Sequence, residues 1–361
     1  MRILAVNAGS SSLKVRVLDE EDAVLAATDA PATDAPGLLA ALSRFIADCG
    51  PVDAVGHRVV HGGVHLRAPT VVDADVRERL AVLVPLAPLH QPAALAGLDA
   101  ARQLLPGVPN VACFDTAFHA TIPETAATYP LPLEWREAYG LRRFGFHGLS
   151  HAYASGRAAE LLGFVPGRLV TCHLGAGSSI TAVVEGRSVD TTMGFTPNEG
   201  VPMATRSGSV DVGMLGWLLE RGLTPAQLAE GLGRTGGLLG LAGTGDMREI
   251  ESAAMAGDPR AALGLDVWAH RVTQAVAAMA SSAGGIDAIT FTGGIGEHSS
   301  SLRLRLGRLL GWLGLELDPT ANARSGDDHL ISTPRSAVAA LVVAAREDVQ
   351  IAREVRAVLA R

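Results

Sequence analysis

Lysine is almost missing from this chain. Of thirty basic side chains in 361 residues, one is lysine, Lys14, and all the others are arginine. Cysteine is scarce too: Cys49, Cys113 and Cys172 are odd in number and form no C-x-x-C pair, which excludes a disulfide framework and leaves reduced, buried thiols as the expectation. Charged residues make up 19% of the chain, against roughly a quarter in typical proteins, so a compact body is expected rather than disorder. A formal charge of −7 and a pI near 5.9 exclude a dedicated nucleic-acid binder. The longest apolar run, Ala337 to Ala345, falls far short of the ~20 residues a membrane span needs. The chain enters a strand at once with no signal-peptide core, so a cytoplasmic protein of two domains, with no membrane partner, is the expectation.

What is present is a recurring turn. Lys14 closes Asn7-Ala8-Gly9-Ser10-Ser11-Ser12-Leu13-Lys14, between the apolar run Ile3 to Val6 and the alternating run Leu13 to Val17. That pattern predicts a β-hairpin. Backbone N–H groups, hydroxyls and a compact ammonium at its tip make an anion cradle, although the Walker A spacing is absent. Taken alone, the turn is equally an ordinary Gly/Ser hairpin. A second copy weakens that reading: Arg168 to His173, then Leu174-Gly175-Ala176-Gly177-Ser178-Ser179, then Ile180 to Val184. A third element, Ile286 to Phe291 followed by Thr292-Gly293-Gly294-Ile295-Gly296-Glu297, predicts a buried strand entering a helix through glycines, a setting that suits phosphate or adenosine.

Between these turns the periodicity predicts helices at Gly37–Cys49, Asp73–Leu83, Gln91–Leu105 and from Gly148, then across Val210–Gly257, Pro259–Ser282, Ser299–Leu310 and the C-terminus. Strands are expected at Val52–Val60, Val111–Phe114 and Ala337–Val343. Pro123–Arg143 reads as an irregular crossing and Asp29–Pro36 as a surface loop. Alternating strands and helices give an α/β class.

The chemical candidates are few. Arg58, in Gly56-His57-Arg58-Val59-Val60-His61-Gly62-Gly63, and Arg206, in Met203-Ala204-Thr205-Arg206-Ser207-Gly208, lie in apolar or glycine-rich settings. A guanidinium there needs an anion, either a structural carboxylate or a ligand. His57, His61 and His65 repeat every four residues and His147 and His151 are four apart, but Gly148 stands where a zincin needs glutamate. No serine has glycine on both sides at the nucleophile-elbow spacing. Asp115 ends a strand and Glu347 opens the last helix; either suits Mg²⁺, and helix capping is the competing role for Glu347.

Assembled in order, these segments resemble the acetate/propionate kinase family of the sugar-kinase, Hsp70 and actin superfamily. The carriers are Asn7 to Lys14, Gly56 to Gly63, Phe114-Asp115-Thr116-Ala117-Phe118-His119, Arg143-Phe144-Gly145-Phe146-His147-Gly148, Asp190 to Pro197, Thr205 to Gly208, Gly245-Asp246-Met247-Arg248 and Phe291 to Glu297. The resemblance spans the chain and implies duplicated actin-like (ribonuclease H-like) α/β domains with an interdomain cleft. Residues 1–118 with 349–361 would form the first, the C-terminal helix packing back, and 119–348 the nucleotide-binding second. It implies reversible Mg²⁺-dependent (or Mn²⁺-dependent) transfer of the ATP γ-phosphoryl group to acetate, and a homodimer. Propionate as acceptor and diphosphate as donor are the alternatives.

By the same resemblance, Asp115, His147 and Arg206 are catalytic. Arg58 would bind the substrate carboxylate, with Val60, Leu89, Phe146 and Pro197 lining its tail. Lys14, Ser10 and Ser12, His173, Leu174, Gly175, Ala176 and Gly177, Asp246, Met247 and Arg248, and Gly294, Ile295, Gly296, Glu297 and His298 would bind ATP or ADP. Asn7 and Glu347 would lie on the metal side. A carboxylate substrate is already ionised at pH 7, so Asp115 is expected to organise metal or water rather than take a proton. Ala176 and His298 replace the family's usual asparagines, Gln91 and Arg346 likewise, and Val212 replaces a common proline. Two rival readings remain: an ATPase acting on a protein partner, and a catalytically silent nucleotide binder.

Overall fold

The computed structural model describes residues 1–9, 12–31, 34–88 and 90–360. The chain forms two compact units: Met1–Ala120 with Phe146–Tyr153 and Arg346–Arg361, and Thr121–Gly145 with Ala154–Ala345.

The first unit is built on a six-stranded sheet of β1 (Ile3–Ala8), β2 (Ser12–Leu18), β3 (Val24–Pro31), β4 (Ala54–Val59), β5 (Thr70–Val71) and β6 (Asn110–Phe114), in the order β3-β2-β1-β4-β6-β5. β1, β4 and β6 are mutually parallel neighbours, while β2, β3 and β5 run antiparallel to their partners. β1 and β6 are mostly apolar and almost wholly buried, as strands covered on both faces are, whereas β4 carries His57 and Arg58. β2 instead alternates, with Leu13, Val15 and Val17 buried beneath Lys14 and Arg16. Leu4, Val6, Leu13, Val15, Leu38, Leu42 and Ala101 form one core cluster of this unit.

The second unit repeats the plan. β7 (Arg168–Leu174), β8 (Ser178–Val184), β9 (Arg187–Thr191), β10 (Ala288–Thr292), β11 (His329–Leu330) and β12 (Ala339–Val342) are ordered β11-β12-β10-β7-β8-β9. Matching β1 to β7, β4 to β10 and β6 to β12 reproduces every parallel and antiparallel pairing. The duplicated α/β architecture expected from the two hairpins is therefore present. Trp268, on the 24-residue helix Pro259–Ser282, is fully buried in this unit's core.

Two local expectations fail. Asp29–Pro31 is not loop but the end of β3, an edge strand whose small and polar residues carry no apolar alternation. Arg16 on β2 reaches Asp29 at 2.6 Å, and proline is tolerated as the last residue of an edge strand. Within Pro123–Arg143 the chain forms short helices at Glu124–Ala127 and Leu133–Tyr139 rather than wholly irregular structure.

The last helix, Glu347–Leu359, lies directly on β4 because residue 56 has no side chain. A Cβ on Gly56 would sit 2.3 Å from Ile351 Cγ2 and 2.7 Å from Val355 Cγ2. Gly56→Ala must lift this helix, and overpacking of this kind costs about 1–3 kcal/mol. Gly156→Ala, in the open on the helix Gly148–Leu162, is expected to stabilise by about 0.5–1 kcal/mol. Urea unfolding of both variants checks this; equal stability of the Gly56 variant and the parent refutes the close contact.

Candidate active site

Three parallel strands of the first unit end side by side, and each delivers one polar residue there: Asn7 from β1, Arg58 from β4, and Asp115 just after β6. Ligand sites in open α/β sheets gather at such carboxyl ends. Arg58 Nε and Nη2 donate to the two oxygens of Asp115 at 2.9 and 2.7 Å. Its Nη1 donates to Asn7 Oδ1 at 3.3 Å. Asn7 Nδ2 donates to Glu347 Oε2 at 3.0 Å, and that oxygen lies 3.7 Å from Arg58 Nε. Asp115 is buried, with 1% of its side chain exposed, whereas Arg58 keeps 21%. Burial alone would lower the Arg58 pKa, but the charges of Asp115 and Glu347 outweigh it and hold it above the ordinary value.

A second set of residues crowds the same strand ends through backbone contacts. Gly148 N–H donates to Asp115 O at 2.8 Å, and a Cβ on Gly148 would lie 2.2 Å from that oxygen. Only glycine permits the approach. His147, immediately before it, is held at φ +57°, a region few side chains adopt. His119 Nε2 bonds Phe146 O at 3.0 Å, and the Phe146 ring meets His61 edge-on at 5.5 Å. Val60 and Phe146 are both buried. Gln91 brackets His61, donating to its carbonyl at 3.2 Å and accepting from its N–H at 3.3 Å. Lys14 is exposed and stands in register opposite Asn7.

In the second unit the two glycine elements touch. A Cβ on Gly293, at φ +76°, would lie 2.8 Å from Leu174 O, so the strand-to-helix turn abuts the end of β7. The hairpin tip is tied in turn to the loop bearing Arg206, through Ala204 N–H to Ala176 O at 3.1 Å. Arg206 Nη1 donates to Pro197 O at 3.2 Å, and burial lowers its pKa. Beside these turns lies a cavity of about 700 Å³. Gly175, Ala176, Gly294, Asp246, Met247, Arg248, Ile295 and His298 are among the residues that line it.

Not every expected residue reaches this cavity. His173, Leu174, Gly177, Gly296 and Glu297 do not line it. The Glu297 carboxylate accepts from Ala345 N–H at 3.0 Å instead. Leu89, Ser10 and the Ser12 side chain lie outside the described residues. Sequence reasoning missed Glu251, Ser299, Ser300 and Ser301, which with Gly245 complete the lining. Glu251 follows Met247 by one helical turn, the one signal that would have placed it on the same face.

Asn7, Asp115 and Glu347 offer only oxygen, and Arg58 leaves the cluster with one excess formal negative charge. Among the described residues no group of three or more His, Cys, Asp or Glu side chains is placed to cage a metal. One or two carboxylates completed by water and phosphate oxygens is the arrangement Mg²⁺ prefers, so these residues fit that ion. Among the described residues no helix is long and apolar enough to cross a membrane.

Comparison with known proteins gives concordant matches. A model described as the acetokinase family matches residues 36–353. An acetate kinase of Nostoc punctiforme is 47% identical over 315 residues, covering 86% of this chain and 78% of that protein. The crystal structure of Porphyromonas gingivalis acetate kinase superposes with a TM-score of 0.91 at 35% identity, covering 99% of both chains. A propionate kinase from Francisella tularensis gives 0.91 at 34% identity, covering 98% of both.

The buried histidines set an acid limit on the first unit. Burial pushes His57, His61 and His119 down to about 4 from an ordinary 6.5. The unfolded chain therefore takes up protons before the folded one. The stability each neutral ring contributes is complete above pH 6.5 and is lost progressively as pH falls from there to about 4. A gap of that size corresponds to about 3 kcal/mol per ring. His57 Nε2 donates to Asn110 Oδ1 at 2.7 Å, while its buried Nδ1 has no hydrogen-bond partner among the described residues. Urea unfolding between pH 7.5 and 4.5 is expected to show the steep loss, with a shallower slope in His57→Gln. A parent stability independent of pH below 6.5 contradicts this.

Proposed function

Because this chain belongs to the acetokinase family, we propose that it transfers the γ-phosphoryl group of ATP reversibly to acetate, giving acetyl phosphate and ADP. Its duplicated topology is the actin-like ATPase fold. One observation carries the carboxylate half. A guanidinium has five N–H donors, and Arg58 commits three, two to Asp115 and one to Asn7. One N–H on each terminal nitrogen remains, and these are the donors offered to a second carboxylate in this reading. Asp115 closes both oxygens on Arg58, so its role in this reading is to aim that fork and not to remove a proton. This revises the expectation that Asp115 chiefly organises metal or water.

The substrate carboxylate arrives ionised, so the difficulty is bringing one anion onto another. Arg58, Arg206, His147 and Lys14 offset that repulsion, and catalysis is positioning plus electrostatics. Asn7 and Glu347 would hold Mg²⁺, which when bound neutralises charge on the phosphate oxygens. Val60 and Phe146 would line the space for a short acyl tail, a setting that separates acids differing by one methylene only ~10–200-fold. The glycine-framed cavity supports a nucleoside donor over bare diphosphate, since diphosphate has no use for about 700 Å³. His173, Leu174, Gly177, Gly296 and Glu297 then act behind the lining, as supports of the turns.

We also propose that the protein is a homodimer. The helix Val212–Glu220 and the following helix Pro225–Gly233 contain no buried residue. Val212, Met214, Trp217 and Leu219 are nevertheless exposed there. Apolar surface of this extent marks an interface, and a second copy of the chain is its occupant in this reading. Light scattering is expected to give twice the 37.3 kDa chain mass, and the single-chain mass for Met214→Asp/Trp217→Asp. A parent of single-chain mass refutes the dimer.

The activity itself is tested by incubating the protein with ATP, Mg²⁺ and acetate and trapping acyl phosphate with hydroxylamine. Parallel reactions with propionate, butyrate and diphosphate rank the alternatives. Acetate with ATP is expected to lead. Arg58→Lys, which keeps the charge but loses the fork, is expected to raise the acetate KM by about 10- to 100-fold. Gly294→Leu, whose side chain would enter open cavity space, is expected to raise the ATP KM. Absence of hydroxamate with every pair refutes the reading.

A further inference from the structure

The loop from Thr192 to Asp211, which follows β9 and carries Arg206, contains no helix or strand. Its first residues, Thr192 to Gly194, are nevertheless buried. Buried backbone without a ladder must find its partners elsewhere, in side chains among others. Arg143 supplies three of them: its Nη1 donates to the carbonyls of Thr191, Thr192 and Met193 at 2.9, 3.2 and 3.2 Å. Its Nη2 donates to Glu199 Oε1 at 2.9 Å, so one guanidinium spans both limbs of the loop.

The other oxygen of Glu199 accepts from the Tyr129 hydroxyl, which itself accepts from Phe195 N–H at 2.9 Å. Burial and the Glu199 carboxylate raise the Tyr129 pKa, so the phenol keeps its proton and stays a donor. The Arg143 guanidinium lies 5.6 Å from the centre of the Tyr129 ring, and Arg143 N–H donates to Ala127 O at 2.8 Å. Gly194 makes room for the contact, since a Cβ there would overlap both Glu199 Oε2 and Tyr129 Oη. Tyr129 and Arg143 thus hold the loop at residue 195 and again at 199. Between those two points stands Pro197, whose carbonyl accepts from Arg206 Nη1 at 3.2 Å.

We propose that Tyr129, Glu199 and Arg143 are positioning residues for the reaction: they fix Pro197 O, and through it the Arg206 guanidinium, before a phosphoryl group arrives. The inference rests on the reading of Arg206 as a group that meets the charge of the transferred phosphoryl group. A donor already in place costs no reorganisation at that moment, and a displacement of about 1 Å can cost about 100-fold in rate. The clamp grips at two separate points. Loss of the Tyr129 hydroxyl frees residue 195 while Arg143 stays on Glu199, so the loop loosens without coming apart. A network that served the fold alone would leave the chemical step as it was, whereas this one ends on a side chain of that step.

The experiment measures kcat and the KM values for acetate and ATP in the hydroxamate assay, together with hydrogen exchange across residues 194–209. Parent, Tyr129→Phe, Glu199→Gln, Arg206→Ala and the double variant Tyr129→Phe/Arg206→Ala are compared. Tyr129→Phe and Glu199→Gln are each expected to lose about 10- to 100-fold in kcat, with both KM values within about threefold of the parent. Both are also expected to exchange faster across the loop. In the Arg206→Ala background Tyr129→Phe should cost less than about threefold, because the group it aims is gone. Unchanged kcat in both single variants overturns the proposal. So does a Tyr129→Phe loss that is equally large with and without Arg206, the mark of a merely structural network. Should no donor yield hydroxamate, the phosphotransferase reading fails, and hydrogen exchange still decides the clamp: a loop protected equally in parent, Tyr129→Phe and Glu199→Gln overturns it.

Discussion

A buried carboxylate sets the terms for the first unit. Asp115 has almost no contact with solvent, and an unpaired charge there would cost several kcal/mol. Arg58 must therefore reach it, which fixes β4 and β6 in a register that ends them at the same level. Asn7 from β1 and Glu347 from the last helix then close around the same guanidinium. Gly56 permits this by letting the last helix lie against β4, so a missing methyl two residues before Arg58 helps decide where Glu347 arrives. The guanidinium satisfies the buried acid through Nε and Nη2 and reaches Asn7 through Nη1.

The duplication shows how one topology serves two chemistries. In both sheets a hairpin leads to a parallel strand and then a second, and polar or glycine residues collect at the carboxyl ends. In the first unit these ends carry charge: Arg58, Asp115 and, in register opposite Asn7, the sole lysine. In the second they carry glycine, because Leu174 O leaves no room for a side chain at 293 and Ala176 O is bonded to the Arg206 loop. Side-chain charges suit a small anion that must be gripped. Backbone donors without side chains suit a polyphosphate that must be approached closely.

What the sequence revealed followed from how local each signal was. The hairpins and long helices were legible because their apolar periodicity and caps lie within the segment itself. β3 was not, because Val24–Pro31 gains its place from pairing with β2 and not from any alternation of its own. Arg58 was recognised as needing an anion, but its residues alone left open whether that anion was a structural carboxylate or a ligand. The structure supplies the carboxylate, Asp115, and spends three of the five donors on it and on Asn7. The Glu251–Ser299–Ser301 cluster was illegible for a different reason. Residues 48 and 50 apart on two helices meet only through the tertiary fold, and none belongs to a motif.

The near absence of lysine gains a physical meaning from this arrangement. A guanidinium in a glycine-rich or apolar setting can satisfy several acceptors in fixed directions, as Arg58 does for Asp115 and Asn7 and as Arg303 does for Asn322, Gly296 and Glu297. Arg303 sits under the glycine turn with carbonyl and amide partners, and burial lowers its pKa to about 10. It stays charged at neutral pH while fastening that turn. An ammonium could bond the same oxygens only by reorienting about a flexible stem. Arginine therefore fits wherever this protein fixes a framework. The exposed Lys14 is the exception, a compact ammonium on a flexible stem, and it stands on a hairpin whose strands are locked by Val6, Leu13 and Val15.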